Sequence, residues 1–326
     1  ETIARNGDEL ALVMLGGVTR LTDSGLSMVD WRPITGWFPP LNAQEWQGIF
    51  ELYKVTPEYT KINDGMDVEA FKSIFWLEYL HRLWGRIIGI VFLIPFVWFL
   101  VRGRLDSGLA LKLLLMFGLG GAQGVLGWFM VKSGLVDRPD VSQYRLTAHL
   151  GLAILIYAYM FWVALGLLAY KTPRISRSGL RRLTGVSVLW IFLTMLAGGF
   201  VAGLDAGLTY NTFPLMDGKF VPDGLLSMSP AFLNIFENVT TVQFDHRMMA
   251  YGTVFLVSLT FLRAWGLSGR QMMPFYLLAT LIVVQVVLGV ATLLWAVPMS
   301  LGALHQLVAF LLLTAGLWSL HSVRTA

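Results

Sequence analysis

Residues 78–101 read EYLHRLWGRIIGIVFLIPFVWFLV, and after Arg86 this stretch carries no charged side chain. An apolar run of this length is what a helix needs to cross a hydrocarbon core, about 20 residues at 1.5 Å each. Its beginning is different in kind. Glu78, His81, Arg82 and Arg86 crowd into the first turns. Polar groups inside a membrane span are costly and mark functional positions. The apolar body therefore indicates a membrane helix, and its polar start is where chemistry is to be sought.

The rest of the chain repeats this pattern. Of 326 residues 56% are hydrophobic and 13% charged, against about 25% charged in soluble domains. The mean hydropathy is +0.65. Eight apolar spans are read at 10–22, 74–101, 109–131, 147–170, 183–204, 242–262, 273–296 and 301–320. The first is short, because Arg5, Asn6, Asp8 and Glu9 precede it, and it is expected to be distorted or incomplete. The net charge of +4 comes with no basic patch suited to nucleic acid. The absence of cysteine excludes disulfides, thiolate-ligated heme and cysteine-held iron–sulfur clusters. No signal peptide is visible.

Charge orients the spans. Lys171, Arg174, Arg177, Arg181 and Arg182 fill one connection without an acid, Arg102 and Arg104 follow the second span, Arg263 and Arg270 lie at another connection, and Arg324 follows the last span. By the positive-inside rule these belong to the inner side. The long loops, 22–73 and 205–240, carry the acidic excess and lie outside. Both termini then lie inside, and even-numbered spans begin at the outer face. Pro39-Pro40-Leu41-Asn42 predicts a turn with Asn42 as N-cap. Trp46, Ile49, Phe50 and Tyr53 follow at helical spacing, so a short amphipathic helix over 43–54 is expected at the outer face.

Four of the five histidines, His81, His149, His246 and His305, fall in the first turns of even spans. They share one depth near the outer side, with His321 about 24 Å lower at the inner end, as an interfacial residue. The two halves also repeat. Gly16-Gly17 with Asp23-Ser24-Gly25-Leu26-Ser27 matches Gly198-Gly199 with Asp205-Ala206-Gly207-Leu208-Thr209. Gln123-Gly124-Val125-Leu126-Gly127 matches Gln285-Val286-Val287-Leu288-Gly289, and His81-Arg82 matches His246-Arg247. An even number of helices per unit implies an axis along the membrane normal. The expected fold is an all-α polytopic membrane protein of eight transmembrane helices in two pseudo-symmetric four-helix bundles. Residues 1–172 form the first and 173–326 the second.

Two imidazoles from facing helices are a common axial set for heme iron. The pairs are His81 with His149 and His246 with His305. A di-iron site needs more carboxylates than Glu78 and Asp245 supply, and zinc needs three or four ligands together. The repeat breaks at Glu78, which aligns with Gln243. Glu78 lies one turn from His81 on the same helix face, and a buried carboxylate can move protons. Chemistry is therefore expected in the first bundle and electron storage in the second. The plainer reading of Glu78 is a salt bridge to Arg82 or Arg86. Arg82, Arg86 and Arg247 suit heme propionates, or simply anchor the outer interface.

Long strings in this chain resemble the heme A synthase family. They are Gly16–Ser27, Glu78–Arg82, Gln143–Leu150, Ala202–Met216 and Val242–Arg247. The pattern is similar to the mitochondrial and alphaproteobacterial branch, which lacks the paired loop cysteines. The resemblance implies oxidation of the C8 methyl group of heme O to a formyl group, giving heme A for cytochrome c oxidase. It implies a substrate-heme site with Glu78, His81 and His149, and a heme b held by His246 and His305. It further implies a bacterial plasma membrane or mitochondrial inner membrane, with the heme sites toward the outer side. Heme O synthase and a ferredoxin-type electron donor are partners at the level of the family, and a homo-oligomer is left open. The rival readings are a diheme b-type electron-transfer protein and a transporter with parallel repeats.

Overall fold

The structure, a computed structural model, describes residues 2–30, 36–134, 141–168 and 177–323. Eleven α-helices order the described residues. They are α1 (Thr2–Leu21), α2 (Ala43–Lys54), α3 (Pro57–Lys61), α4 (Val68–Val101), α5 (Ser107–Gly134), α6 (Gln143–Leu168), α7 (Ser178–Gly203), α8 (Asn234–Glu237), α9 (Val239–Ala264), α10 (Met273–Leu294) and α11 (Met299–Ser322). Among those residues the only β pairing is an isolated bridge between Met216 and Lys219. Lys171, Arg174 and Arg324, which helped to orient the spans, lie outside the described residues.

The protein is an all-α polytopic membrane protein. Six helices, α4, α5, α6, α7, α10 and α11, are long and apolar enough to cross a membrane. The other two expected spans fall in α1 and α9. Both are helical over at least 20 residues, but their first turns are polar. In α9 those turns hold Gln243, Asp245, His246 and Arg247; in α1 they hold Arg5, Asp8 and Glu9. α1 begins at Thr2, well before the apolar run that suggested it. Helix propensity tolerates Arg, Asp and Glu, so hydropathy alone placed the start too late.

The chain divides into two compact units, residues 7–156 and residues 157–326 together with 1–6. In the first unit, α4 starts at Asp67, whose carboxylate accepts from Ala70 N at 2.8 Å. α2 starts where expected, with the Asn42 side chain accepting from Glu45 N at 2.9 Å. Trp46, Phe50 and Tyr53 of α2 bury against Phe71, Phe75 and Tyr79 at the start of α4. Tyr53 also receives a hydrogen bond from Asn63 Nδ2 at 2.7 Å, and burial pushes its hydroxyl pKa up. Beyond this aromatic knot α4 exposes Ile94, Val97 and Trp98, the surface expected of a helix in lipid.

In the second unit α7 and α9 approach closely through small and hydroxyl residues. Ser187 Oγ and Thr260 Oγ1 lie 2.8 Å apart, and Thr194 and Thr253 hydroxyls 2.9 Å apart. Gly252 of α9 faces the Trp190 ring, whose Nε1 donates to Met249 O at 2.9 Å. Such contacts satisfy polar groups between membrane helices without water. After α7, Asp205 takes a left-handed conformation (φ 50), as Asp23 does after α1 (φ 48). Aspartate tolerates this region better than most side chains, so both long loops leave their helices through a left-handed aspartate.

Candidate functional site

His149, His246 and His305 lie about two turns into α6, α9 and α11, whereas His81 lies about four turns into α4, because that helix begins at Val68, ahead of the apolar run that suggested it. In the first unit His149 lies within electrostatic reach of His81, and in the second His305 within reach of His246. These are the two pairs expected. Each ring lies deep in the fold yet keeps accessible surface. The Nδ1 atom of every one is buried and without a hydrogen-bond partner. Gln123 Nε2 lies 3.5 Å from His149 Nε2 and donates to His149 O at 3.0 Å. In the second unit Gln285 Nε2 lies 3.4 Å from His305 Nε2.

Glu78 is 3% exposed. Its Oε2 accepts from Ser27 Oγ and from Met28 N, each at 2.7 Å, and its Oε1 is ion-paired with Arg82. Arg82 also donates to Met28 O at 3.1 Å. The carboxylate thus ties α4 to the chain that leaves α1. The corresponding group of the second unit is an amide. Gln243 Nε2 donates to Tyr210 O at 3.2 Å, and Arg247 donates to Tyr210 O at 2.8 Å and Thr212 O at 3.0 Å. Met28 and Tyr210 occupy matching places in the internal repeat, so the arginine–carbonyl tether recurs while the carboxylate does not. Arg86 donates to Gly36 O at 2.8 Å.

The three arginines singled out from sequence therefore all hold backbone of the loops that follow α1 and α7. His321 is set apart from the other histidines, as expected, but it is 8% exposed and packs edge-on against Trp162 at 5.2 Å. It is a buried residue and does not lie open at the interface. Sequence reasoning assigned no part to Ser27, although it lies in the repeat opposite Thr209. Nor did it assign one to the glycines that face the histidines. Gly16, Gly127, Gly198 and Gly289 each present the helix backbone to one imidazole. The repeat itself contained all four, and that was the signal available.

Apolar helices long enough to span a membrane that carry imidazoles in two pairs, one pair beside an ion-paired carboxylate, define a class: polytopic membrane proteins with polar side chains gathered inside their helices. Within that class the chain belongs to the COX15-CtaA family, described as cytochrome oxidase assembly protein, whose model matches residues 9–317. It is 54% identical over 319 residues to the heme A synthase of Nitrosospira multiformis, covering 96% of this chain and 90% of that one. It is 49% identical over 322 residues to the heme A synthase of Paramagnetospirillum magneticum, covering 96% and 89%. It is 49% identical over 319 residues to the heme A synthase of Mesorhizobium japonicum, covering 95% and 85%.

Proposed function

We infer that this chain is a membrane oxidoreductase that converts heme O to heme A. Relatives named heme A synthase match it over nearly their whole length. The reaction takes the C8 methyl group of the substrate to a formyl group, and the product serves cytochrome c oxidase. One observation carries the reading at the level of residues. Each imidazole pair has a glycine against both rings and a glutamine beside one, and among the described residues only the first has a buried, ion-paired carboxylate on the same helix.

The chain's residues fit heme as the ligand. Neutral imidazoles are the donors heme iron takes, each ring has a buried nitrogen without a hydrogen-bond partner, and the rings keep accessible surface. His81 and His149 would hold the substrate heme, and His246 and His305 a heme b. When bound, heme b supplies a one-electron redox centre. Glu78 places a negative charge one turn from His81. Ser27 Oγ, bonded to that carboxylate, offers a proton a route toward the outer loop. Arg82, Arg86 and Arg247 pin the loops that follow α1 and α7 to α4 and α9, and their guanidinium groups suit heme propionates.

The architecture that goes with this reading is eight transmembrane helices in two pseudo-symmetric four-helix bundles, 1–172 and 173–326. The recurring arginine tethers, aspartate turns and glycine–histidine contacts support it. The heme sites would lie toward the outer side of a bacterial plasma membrane or mitochondrial inner membrane. Heme O synthase as the source of substrate, a ferredoxin-type electron donor and a homo-oligomer belong to the same proposal.

Hemes extracted from the purified protein and resolved by chromatography test it. Heme O or heme A beside heme B is the expected result. Heme B alone, filling both sites, would identify a diheme b-type electron-transfer protein and overturn the assignment of the first site.

A further inference from the structure

The reaction leaves one repeated motif unexplained. Gln123 and Gly127 on α5, and Gln285 and Gly289 on α10, are each four residues apart, so each pair shares a helix face. In both units that face meets the histidine of the next helix. A Cβ placed on Gly127 would lie 2.9 Å from His149 Cε1, and one on Gly289 would lie 2.9 Å from His305 Cε1. The other two histidines are seated in the same way. A Cβ on Gly16 would come within 2.9 Å of His81 Cε1, and one on Gly198 within 3.2 Å of His246 Cε1. Backbone groups of Leu12, Thr194 and Gln285 lie within interaction range of His81, His246 and His305. Each is four residues before the glycine concerned.

Glycine weakens a helix interior relative to alanine, so four glycines at these places do not serve the helices that carry them. What they permit is close approach. Each imidazole edge rests on bare backbone, with Cε1 the nearest atom and Nδ1 the next. Ring rotation is thereby restricted, and Nε2 is aimed in one direction. Other glycines on α5, such as Gly118, Gly120, Gly121 and Gly124, have nothing within 4 Å of an added Cβ. On α5 the close contact is confined to the glycine that meets a histidine; elsewhere Gly252 makes a comparable approach to Trp190.

We propose that Gly16, Gly127, Gly198 and Gly289 are positioning residues that seat the four imidazoles, with Gln123 and Gln285 packed beside the rings of His149 and His305. This rests on the reading of the histidines as heme ligands. Partners that orient a ligating histidine matter to the metal as much as the ligand's identity does. The device costs helix propensity and returns a fixed imidazole plane, which sets the electronic state of a bis-imidazole iron.

The test uses the full-length protein in detergent or nanodiscs, and reads heme b content, low-spin electron paramagnetic resonance and midpoint potential. Gly289→Ala should fold as well as the parent. It should hold heme b about 10-fold more weakly, the low end for loss of an orienting partner, and the remaining heme should show a shifted resonance and potential. Gly198→Ala, with the looser contact, should show the same changes in smaller degree. Gln285→Leu should shift the potential with heme retained. Gly185→Ala, on α7 with only Leu320 Cδ1 at 3.9 Å, should match the parent. Parental heme content, resonance and potential in Gly289→Ala would overturn the proposal, and so would equal changes in Gly185→Ala. If Gly289→Ala does not fold, Gly198→Ala and Gln285→Leu decide, and parental spectra in both overturn it. His246→Ala and His305→Ala separate the two levels. Heme b retained by both would overturn the ligand reading and the seats together. Heme b lost by both, with Gly289→Ala unchanged, would overturn the seats alone.

Discussion

At the scale of single residues, Glu78 does two things at once. It is the ionisable group that distinguishes the first histidine pair from the second, and it is the acceptor for Ser27, Met28 and Arg82. A Glu78→Gln substitution removes the charge from both roles. Heme A formation should fall at least about 10²-fold, the low end for loss of an acid–base group. A heme b held, as proposed, by His246 and His305 should stay near full occupancy. The substitution also strips Arg82 of its anion in a buried setting, where losing one partner costs up to about 3–5 kcal/mol. Arg82 keeps the Met28 carbonyl, and Gln243 beside Arg247 shows that an amide is accommodated at this place. The loss should therefore fall at the low end of that range. The double variant Glu78→Gln/Arg82→Gln separates the roles. It should recover thermal stability toward the parent while heme A output, read by chromatography of extracted hemes, stays low. Recovery of output along with stability would make Glu78 a structural residue only.

At the scale of elements, α2 is the piece that sequence pattern and packing describe alike. Asn42 caps it, and its apolar stripe meets the aromatic start of α4. Phe71 stands at the centre, fully buried, with ring centroids 4.9 Å from Tyr53 and 5.2 Å from Phe50. Removing that ring should cost about 3–5 kcal/mol of local stability. The effect should be confined to the outer segment, because α4 continues as a membrane span that Phe71 does not hold. Phe71→Ala should accelerate amide hydrogen exchange across 43–61 while exchange in 87–101 stays slow. Acceleration over the whole of α4 would show that the aromatic knot supports the span itself.

For the whole molecule, the orientation of the loops decides on which side of the membrane the histidines lie. The 171–182 connection is basic and the 22–73 and 205–240 loops carry the acidic excess. Accessibility tags at both termini and in 171–182 should report the inner side, and tags in 43–60 and 215–230 the outer side. A 171–182 tag labelled from outside would place all four histidine-bearing ends at the inner leaflet. The substrate and its product would then be handled on the opposite face.

Much of this molecule is written along the chain. The apolar runs and the helix at 43–54 with its cap follow from residues within a few turns of one another, and the internal repeat from comparing one half of the chain with the other. Hydropathy and periodicity report those local properties. The sequence also located Glu78 by the break in the repeat, and named Arg82 as its potential partner. What only the tertiary structure decided are contacts between residues far apart in sequence. The Ser27–Glu78 bond joins positions 51 apart, and the Arg82–Met28 bond positions 54 apart. The seating of each imidazole on a glycine of another helix is of the same kind. So is the burial of His321 against Trp162, which its place at the end of an apolar run did not predict. Local pattern says which face of a helix is apolar. Which residue of a neighbouring helix lies opposite it depends on how the helices pack, and that is a property of the folded chain.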